Sequence, residues 1–185
     1  MVSAMSFWRP DSLTEREQAL LQCCLEAHAA SAARENVSTA VMYAASMGSR
    51  SYTQALAAAL STLGGTHAPL VETYEVLGEP AKAAQLLDAG RRVPGWGNSF
   101  AKGAIDPVWQ PLATLLQTGY PGIYQPIEEI TVMLHLRGRM IYPNPSCLTA
   151  ATGMALRMPK EVIPWIFVHG RLAKWSEIFV QTLML

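Results

Sequence analysis

Leu63-Gly64-Gly65-Thr66-His67-Ala68-Pro69 closes an alanine-rich run and starts something new. Paired glycines permit a sharp turn, and a proline suits the first turn of a following helix. The spacing predicts one helix over Ser51 to Leu63 and another over Pro69 to Leu77, with His67 between them. In the first, Leu56, Leu60 and Leu63 fall on one face, while Ala57 and Ala59 keep neighbours close. A side chain at 67 points out of the bend, near helix-start amides without intrahelical partners. Such amides favour a carboxylate or a developing enolate oxygen. A merely solvated histidine satisfies the same spacing, so the stretch fixes the bend and leaves the role of His67 open.

Working outward, nearly every segment reads as helix. Asp11-Ser12-Leu13-Thr14-Glu15-Arg16-Glu17 supplies N-cap candidates and early acids, and the run continues to about Arg34. A second helix starts at Asn36 and continues through Ala45, broken by Met47-Gly48-Ser49. Pro80 to Ala89 follows the Pro69 helix, and the glycine-rich stretch from Gly90 to Ile105 reads as a loop. Further helices are expected over Pro107–Gln117, Gln125–Arg137, Cys147–Leu156, and from Lys160 to the C-terminus, with a break near Pro164. No run alternates with period two for long enough to form a strand, so the class is all-α. The whole of 1–185 is read as one domain, with a small lobe at about 79–160 left as an option.

Half of the 185 residues are apolar, 15% are charged, and the net charge is zero. So little charge suggests that apolar surface goes into an oligomer interface. The small residues from Ala27 to Ala59 suit close packing within one core or across a two-fold dimer equally well. No basic tract or zinc spacing supports nucleic-acid binding or a metal centre. Cys23, Cys24 and Cys147 are odd in number, which suits reduced, mostly buried thiols in a cytoplasmic protein. No signal peptide and no membrane span are expected.

Two other stretches carry chemical potential. In Val93-Pro94-Gly95-Trp96-Gly97-Asn98-Ser99 the glycines allow backbone to approach a ligand, and Trp96 offers an apolar wall. In His169-Gly170-Arg171-Leu172-Ala173-Lys174-Trp175, an arginine on an apolar helix must reach water or pair with an anion. His28, His135 and His169 have no evident partner in sequence and read as helix-face or core residues.

The order of these pieces resembles the C-terminal half of citrate synthase, and the related methylcitrate synthases and citryl-CoA lyases. Asn36-Val37-Ser38-Thr39 is similar to the family's Asn-Ala-Ser-Thr, and Ala44 to Ser49 to its Ala-Ser-Thr-Gly-Ser/Ala. Gly64 to His67 is similar to the start of Gly-Pro-Leu-His-Gly-Gly, and Val93 to Gly97 to Val-Pro-Gly-Phe/Tyr-Gly. Asp106-Pro107, Pro143-Asn144 and Phe167 to Trp175 follow in the family's order. The likeness covers roughly residues 20 to 180.

This resemblance implies a truncated citrate-synthase-like helical fold that dimerises, with itself or with a full-length relative. His67 then matches the histidine that polarises an acyl-thioester carbonyl, and Arg171 an arginine that clamps an oxo-acid carboxylate. A shifted register would put Phe167 in that place. Val93, Pro94, Gly95 and Gly97 match the loop that receives coenzyme A or acyl-CoA as a non-covalent ligand, and Lys102 falls at a basic position just beyond it.

The departures bear on activity. Asn98 stands for a substrate-binding histidine, and Ser99 and Val108 for arginines. Ser146 replaces the aspartate general base, Ala33 another histidine unless the nearby His28 takes that place, and Ala68-Pro69 the family's glycine pair. The family's N-terminal helices and last arginine-bearing segment have no counterpart. A positioned carboxylate base contributes about a hundred- to ten-thousand-fold, and serine supplies none unaided. The expectation is a non-catalytic or ligand-binding homologue in which Asn98 and Ser146 are reshaped pocket residues. The alternative is an active acyl-CoA-dependent condensing enzyme or citryl-CoA lyase-type enzyme with an altered substrate.

Overall fold

In a computed structural model, the structure describes residues 13–31, 37–49, 51–64, 67–98 and 101–184. Among them are nine α-helices, one 3-10 turn and no β-strand. The first helix, α1 (Glu15–Ser31), opens on a reciprocal cap. The Glu17 amide donates to Thr14 Oγ1 at 3.3 Å, and Glu17 Oε2 accepts from the Thr14 amide at 2.9 Å, satisfying two helix-start donors. The expected extension to Arg34 lies partly outside the described residues.

Next come α2 (Val37–Gly48), α3 (Tyr52–Leu60), α4 (Leu70–Gly78) and α5 (Ala81–Asp88). Two expectations change here. Helix α2 continues through Gly48, past the anticipated break, because a single glycine costs a helix only about 1 kcal/mol. Helix α3 stops at Leu60 and buries Ala55 and Ala59 completely, leaving Leu56, Leu60 and Leu63 half-buried. It packs against α2 and α9, and at such a close approach small side chains occupy the seam.

A 3-10 turn (Pro107–Trp109) leads into α6 (Gln110–Gly119), followed by α7 (Pro121–Leu136), α8 (Pro145–Ala155) and α9 (Pro164–Leu183). Helix α7 starts four residues earlier than the sequence suggested, at Pro121, and tolerates Pro126 inside. The carbonyl deprived of a donor by Pro126 belongs to Gly122, which is exposed to water. Pro164 likewise opens α9 instead of interrupting a longer helix.

The core centres on α8, whose residues from Ser146 to Ala155 are buried except Met154. Against it lie α1, α4, α6 and α7, while α9 packs on α1 and α2. The α1–α9 crossing is tight. A Cβ on Gly170 would lie 2.3 Å from His28 Cβ and 3.0 Å from the Leu25 carbonyl oxygen. That contact brings His28 beside the start of the segment carrying Arg171. Among the described residues no helix is long and apolar enough to cross a membrane.

Candidate functional site

The turn at His67 is closed from both sides. The Gly64 amide donates to the His67 carbonyl at 2.8 Å, and the His67 amide donates back to Gly64 at 3.1 Å. Gly64 has φ +105°, a conformation that glycine adopts without strain. Residues 65 and 66 lie outside the described residues. The imidazole turns inward instead of out of the bend: its ring meets the Phe167 ring edge-on at 6.0 Å, and Nε2 is buried without a hydrogen-bond partner. Burial and then the charge of Arg171 lower the pKa of His67, which favours the neutral ring.

Arg171 reaches the same ring. Its guanidinium carbon sits 4.6 Å from the Phe167 centroid, a cation–π contact. The residue is 5% exposed, and its Nε and Nη1 are buried without partners. Desolvation pulls its pKa from 12.5 to about 10. An arginine that neither reaches water freely nor pairs with a carboxylate is uncommon in a folded protein. Phe167 is thus the platform on which the Arg171 cation lies.

His28, read from the sequence as a helix-face or core residue, lies against the same ring. It is fully buried, with its ring 5.0 Å from Phe167 and 4.7 Å from Trp109, and Nε2 lies 2.8 Å from Thr149 Oγ1. Burial, and then Arg171, hold its pKa well below 6.5. The resemblance leaves the corresponding histidine open between His28 and Ala33, the latter outside the described residues. The available signal was Gly170, a glycine inside an apolar helix, which marks a close approach.

The loop from Val93 to Gly97 is fastened to the start of α8. Gly97 donates its amide to the Tyr142 carbonyl, and the Asn144 amide donates to the Gly95 carbonyl, both at 2.9 Å. Asn144 Nδ2 donates to the Gly97 carbonyl at 3.0 Å, while Oδ1 accepts from the Ser146 and Cys147 amides. Asn144 therefore caps α8 and holds the loop with one side chain. Gly95 has φ +89°, and a Cβ there would lie 2.5 Å from Thr73 Cγ2. Trp96 is mostly buried, and its Nε1 donates to Thr131 Oγ1 at 2.9 Å.

Beside this loop opens a groove of about 770 Å³, lined by Val93 to Gly97 together with Glu72, Lys82, Arg91 and Arg92. Lys102 is exposed and does not line it; the cations on its wall are Lys82, Arg91 and Arg92, which the sequence reading did not single out. Asn98 is half-buried where the loop leaves the groove, and Ser146 is buried in the first turn of α8. Asp106 is buried and caps the 3-10 turn by accepting from the Val108 amide at 3.1 Å. No thiol is activated: burial pushes Cys24 up to about 12 and Cys147 well above the usual range.

The architecture matches known helical proteins along its length. A citryl-CoA lyase from Hydrogenobacter thermophilus superposes with a TM-score of 0.82 at 16% identity, covering 98% of this chain and 75% of that one. The fold is that of citryl-CoA lyase and citrate synthase. The citrate synthase of Thermotoga maritima gives 0.71 at 21% identity, over 92% of this chain and 50% of that one. An ATP citrate lyase mutant from Methanosaeta concilii, in complex with (3S)-citryl-CoA, gives 0.77 at 13% identity, over 96% of this chain and 33% of that one. The chain thus spans about half the length of the citrate synthase and a third of the ATP citrate lyase. No protein-family model and no curated protein matches the sequence.

Proposed function

We propose that this protein binds coenzyme A or an acyl-CoA in the groove beside Val93 to Gly97, holds a small carboxylate at Arg171, and does not catalyse condensation. The observation that carries the reading is Arg171, a buried cation whose Nε and Nη1 lack partners. Such a group imposes a desolvation cost in the empty protein, and a bound carboxylate removes it through charge-assisted hydrogen bonds. His67 lies against the same ring, where its imidazole suits a thioester carbonyl. Lys82, Arg91 and Arg92 outnumber Glu72 and Glu75 on the groove wall, a balance that favours phosphates near the two arginines. The structural relatives support the ligand class, since one holds (3S)-citryl-CoA and a citrate synthase from Thermoplasma acidophilum holds carboxymethyl coenzyme A and oxaloacetate.

The absence of turnover follows from Ser146, which stands where the family resemblance puts the carboxylate base. Asn98 and Ser146 act in this reading as pocket-shaping residues, and Lys102, outside the groove lining, as a basic residue beyond the loop. The chain works as one domain and pairs with a second copy through α2, whose outer face carries Val37, Ala40, Ala44 and Met47 and no charge. Thermal unfolding with and without saturating CoA and acetyl-CoA tests the binding. Binding at a hundredfold excess over Kd adds about 2.7 kcal/mol, or roughly 5 to 10 °C for a chain of this size. An unchanged transition at saturating ligand refutes the reading. Release of free CoA thiol from acetyl-CoA and a 2-oxo acid would instead establish the active alternative.

A further inference from the structure

Helix α7 turns an apolar face to water. Val132 is 56% and Leu136 84% exposed, and with Met133 they floor a shallow hollow of about 550 Å³. The rim of that hollow is charged, and the charge has a direction. Glu128 and Glu129 stand at its N-terminal end and Arg137 at its C-terminal end. Arg139 follows, held beside the helix end by a glycine stop. Gly138 has φ +75°, its amide donates to the His135 carbonyl, and the Arg139 amide donates to the Leu134 carbonyl, both at 2.9 Å. Among the described residues the two acids have no cationic partner: Glu128 accepts from Gln117 Nε2 at 3.1 Å and Glu129 from Gln125 Nε2 at 2.8 Å. Arg137 pairs at the surface with Asp88, and a guanidinium with five N–H donors has room for a second carboxylate.

This pattern is its own complement. At about 1.5 Å of rise per residue, Glu128 and Arg137 stand about 7 Å on either side of a midpoint between Val132 and Met133. A second α7 laid antiparallel over that midpoint sets Glu128 level with Arg137 of the other copy, and the reverse, with the apolar residues between them. A foreign basic segment would meet the arginines, and an acidic segment or anionic lipid surface the glutamates, so each faces like charge at one end. We propose that this face docks a second copy of the chain, α7 on α7, about a two-fold axis. The contact rests neither on the ligand reading nor on the α2 pairing: α2 packs on α3 and α9, whereas α7 packs on α4, α6 and α8. It doubles whichever unit, chain or α2 dimer, exists in dilute solution. One helix face buries less than the roughly 1,200 Å² of a standard stable interface, so the association is weak, with a Kd on the order of 10 to 100 µM.

Sedimentation velocity of the whole protein, from micromolar to submillimolar concentration, reads the doubling. The double variant Glu128→Lys with Glu129→Lys, and separately Arg137→Glu, should each weaken it at least about tenfold, because like charges then face each other across the axis. Mixing the two variants should restore association, since each presents the charge that the other lacks. Rescue by mixing also requires both variants to be folded, and a contact with a different kind of partner does not produce it. In a further variant, Val132→Cys, two thiols lie near the axis, and a short bismaleimide should link position 132 of one copy to position 132 of another. That cross-link stands as a test even where a charge variant fails to fold. A mass that stays constant over the whole range overturns the proposal. Doubling that both charge variants leave intact, an absence of rescue on mixing, or a missing cross-link at position 132 overturns it as well.

Discussion

Replacing Arg171 by methionine should make the empty protein more stable while removing its carboxylate binding. The pKa of Arg171 falls from 12.5 to about 10 through desolvation. At about 1.4 kcal/mol per tenfold change in proton affinity, burial disfavours the charged form by about 3 kcal/mol. The contact with Phe167 returns on the order of 1 kcal/mol of this. Methionine keeps most of the aliphatic stem, so the packing loss is small. The balance is a gain of about 2 kcal/mol, or a Tm roughly 4 to 8 °C higher. Differential scanning calorimetry of both proteins without ligand measures it. The reasoning is refuted if Arg171→Met melts several degrees below the parent, because the guanidinium then has a structural partner in solution and is not waiting for a ligand.

Other expectations follow from the same geometry. Gly95→Ala combines a positive φ with a Cβ 2.5 Å from Thr73 Cγ2; a cost of about 2 to 4 kcal/mol is expected in urea unfolding. His67→Ala should leave stability within about 1 kcal/mol and reduce the preference for acetyl-CoA over CoA in calorimetric titration, because only the acylated form has the carbonyl that His67 would meet. Stability should fall on acidification. His28 and His67 both have folded-state pKa values below 6.5, so the unfolded chain binds more protons. Their contribution is complete above pH 6.5 and is lost as pH drops from there toward the folded values. The slope from His28 approaches about 1.4 kcal/mol per pH unit, and urea midpoints at pH 7 and 5.5 read it. Native mass spectrometry should find a dimer; a clean monomer at micromolar concentration would leave the apolar face of α2 without its proposed use.

Much of the helical order was legible because periodicity, caps and prolines act locally. Thr14 with Glu17, and Ser51, mark helix starts that formed, whereas Asn144 caps α8, which begins two residues before the start expected at Cys147. Errors arose where a neighbour decides. Helix α3 presents Ala55 and Ala59 to the core, and not its leucines, because α2 and α9 come too close for larger side chains. Pro121 and not Gln125 begins α7, since one internal proline is tolerable where its orphaned carbonyl faces water. The candidate site was legible in part. His67 and Arg171 were singled out by turn chemistry and by the oddity of an arginine on an apolar helix, and the structure puts both against the Phe167 ring. His28 was read only as a helix-face or core residue, because its surroundings come from contacts across long sequence distances, with Thr149 and with Phe167. Of the groove's cations, Lys82 sits on α5 and meets the loop only in the fold, whereas Arg91 and Arg92 directly precede the loop and were legible in the sequence.

Isothermal titration with acetyl-CoA tests the central claim most directly, with the thioester assayed in the same cell afterwards. The account predicts saturable heat at one ligand per chain, lost when Arg91 and Arg92 are both changed to glutamate, and an intact thioester at the end. No heat from a folded sample, or hydrolysis or transfer of the acyl group, would contradict it.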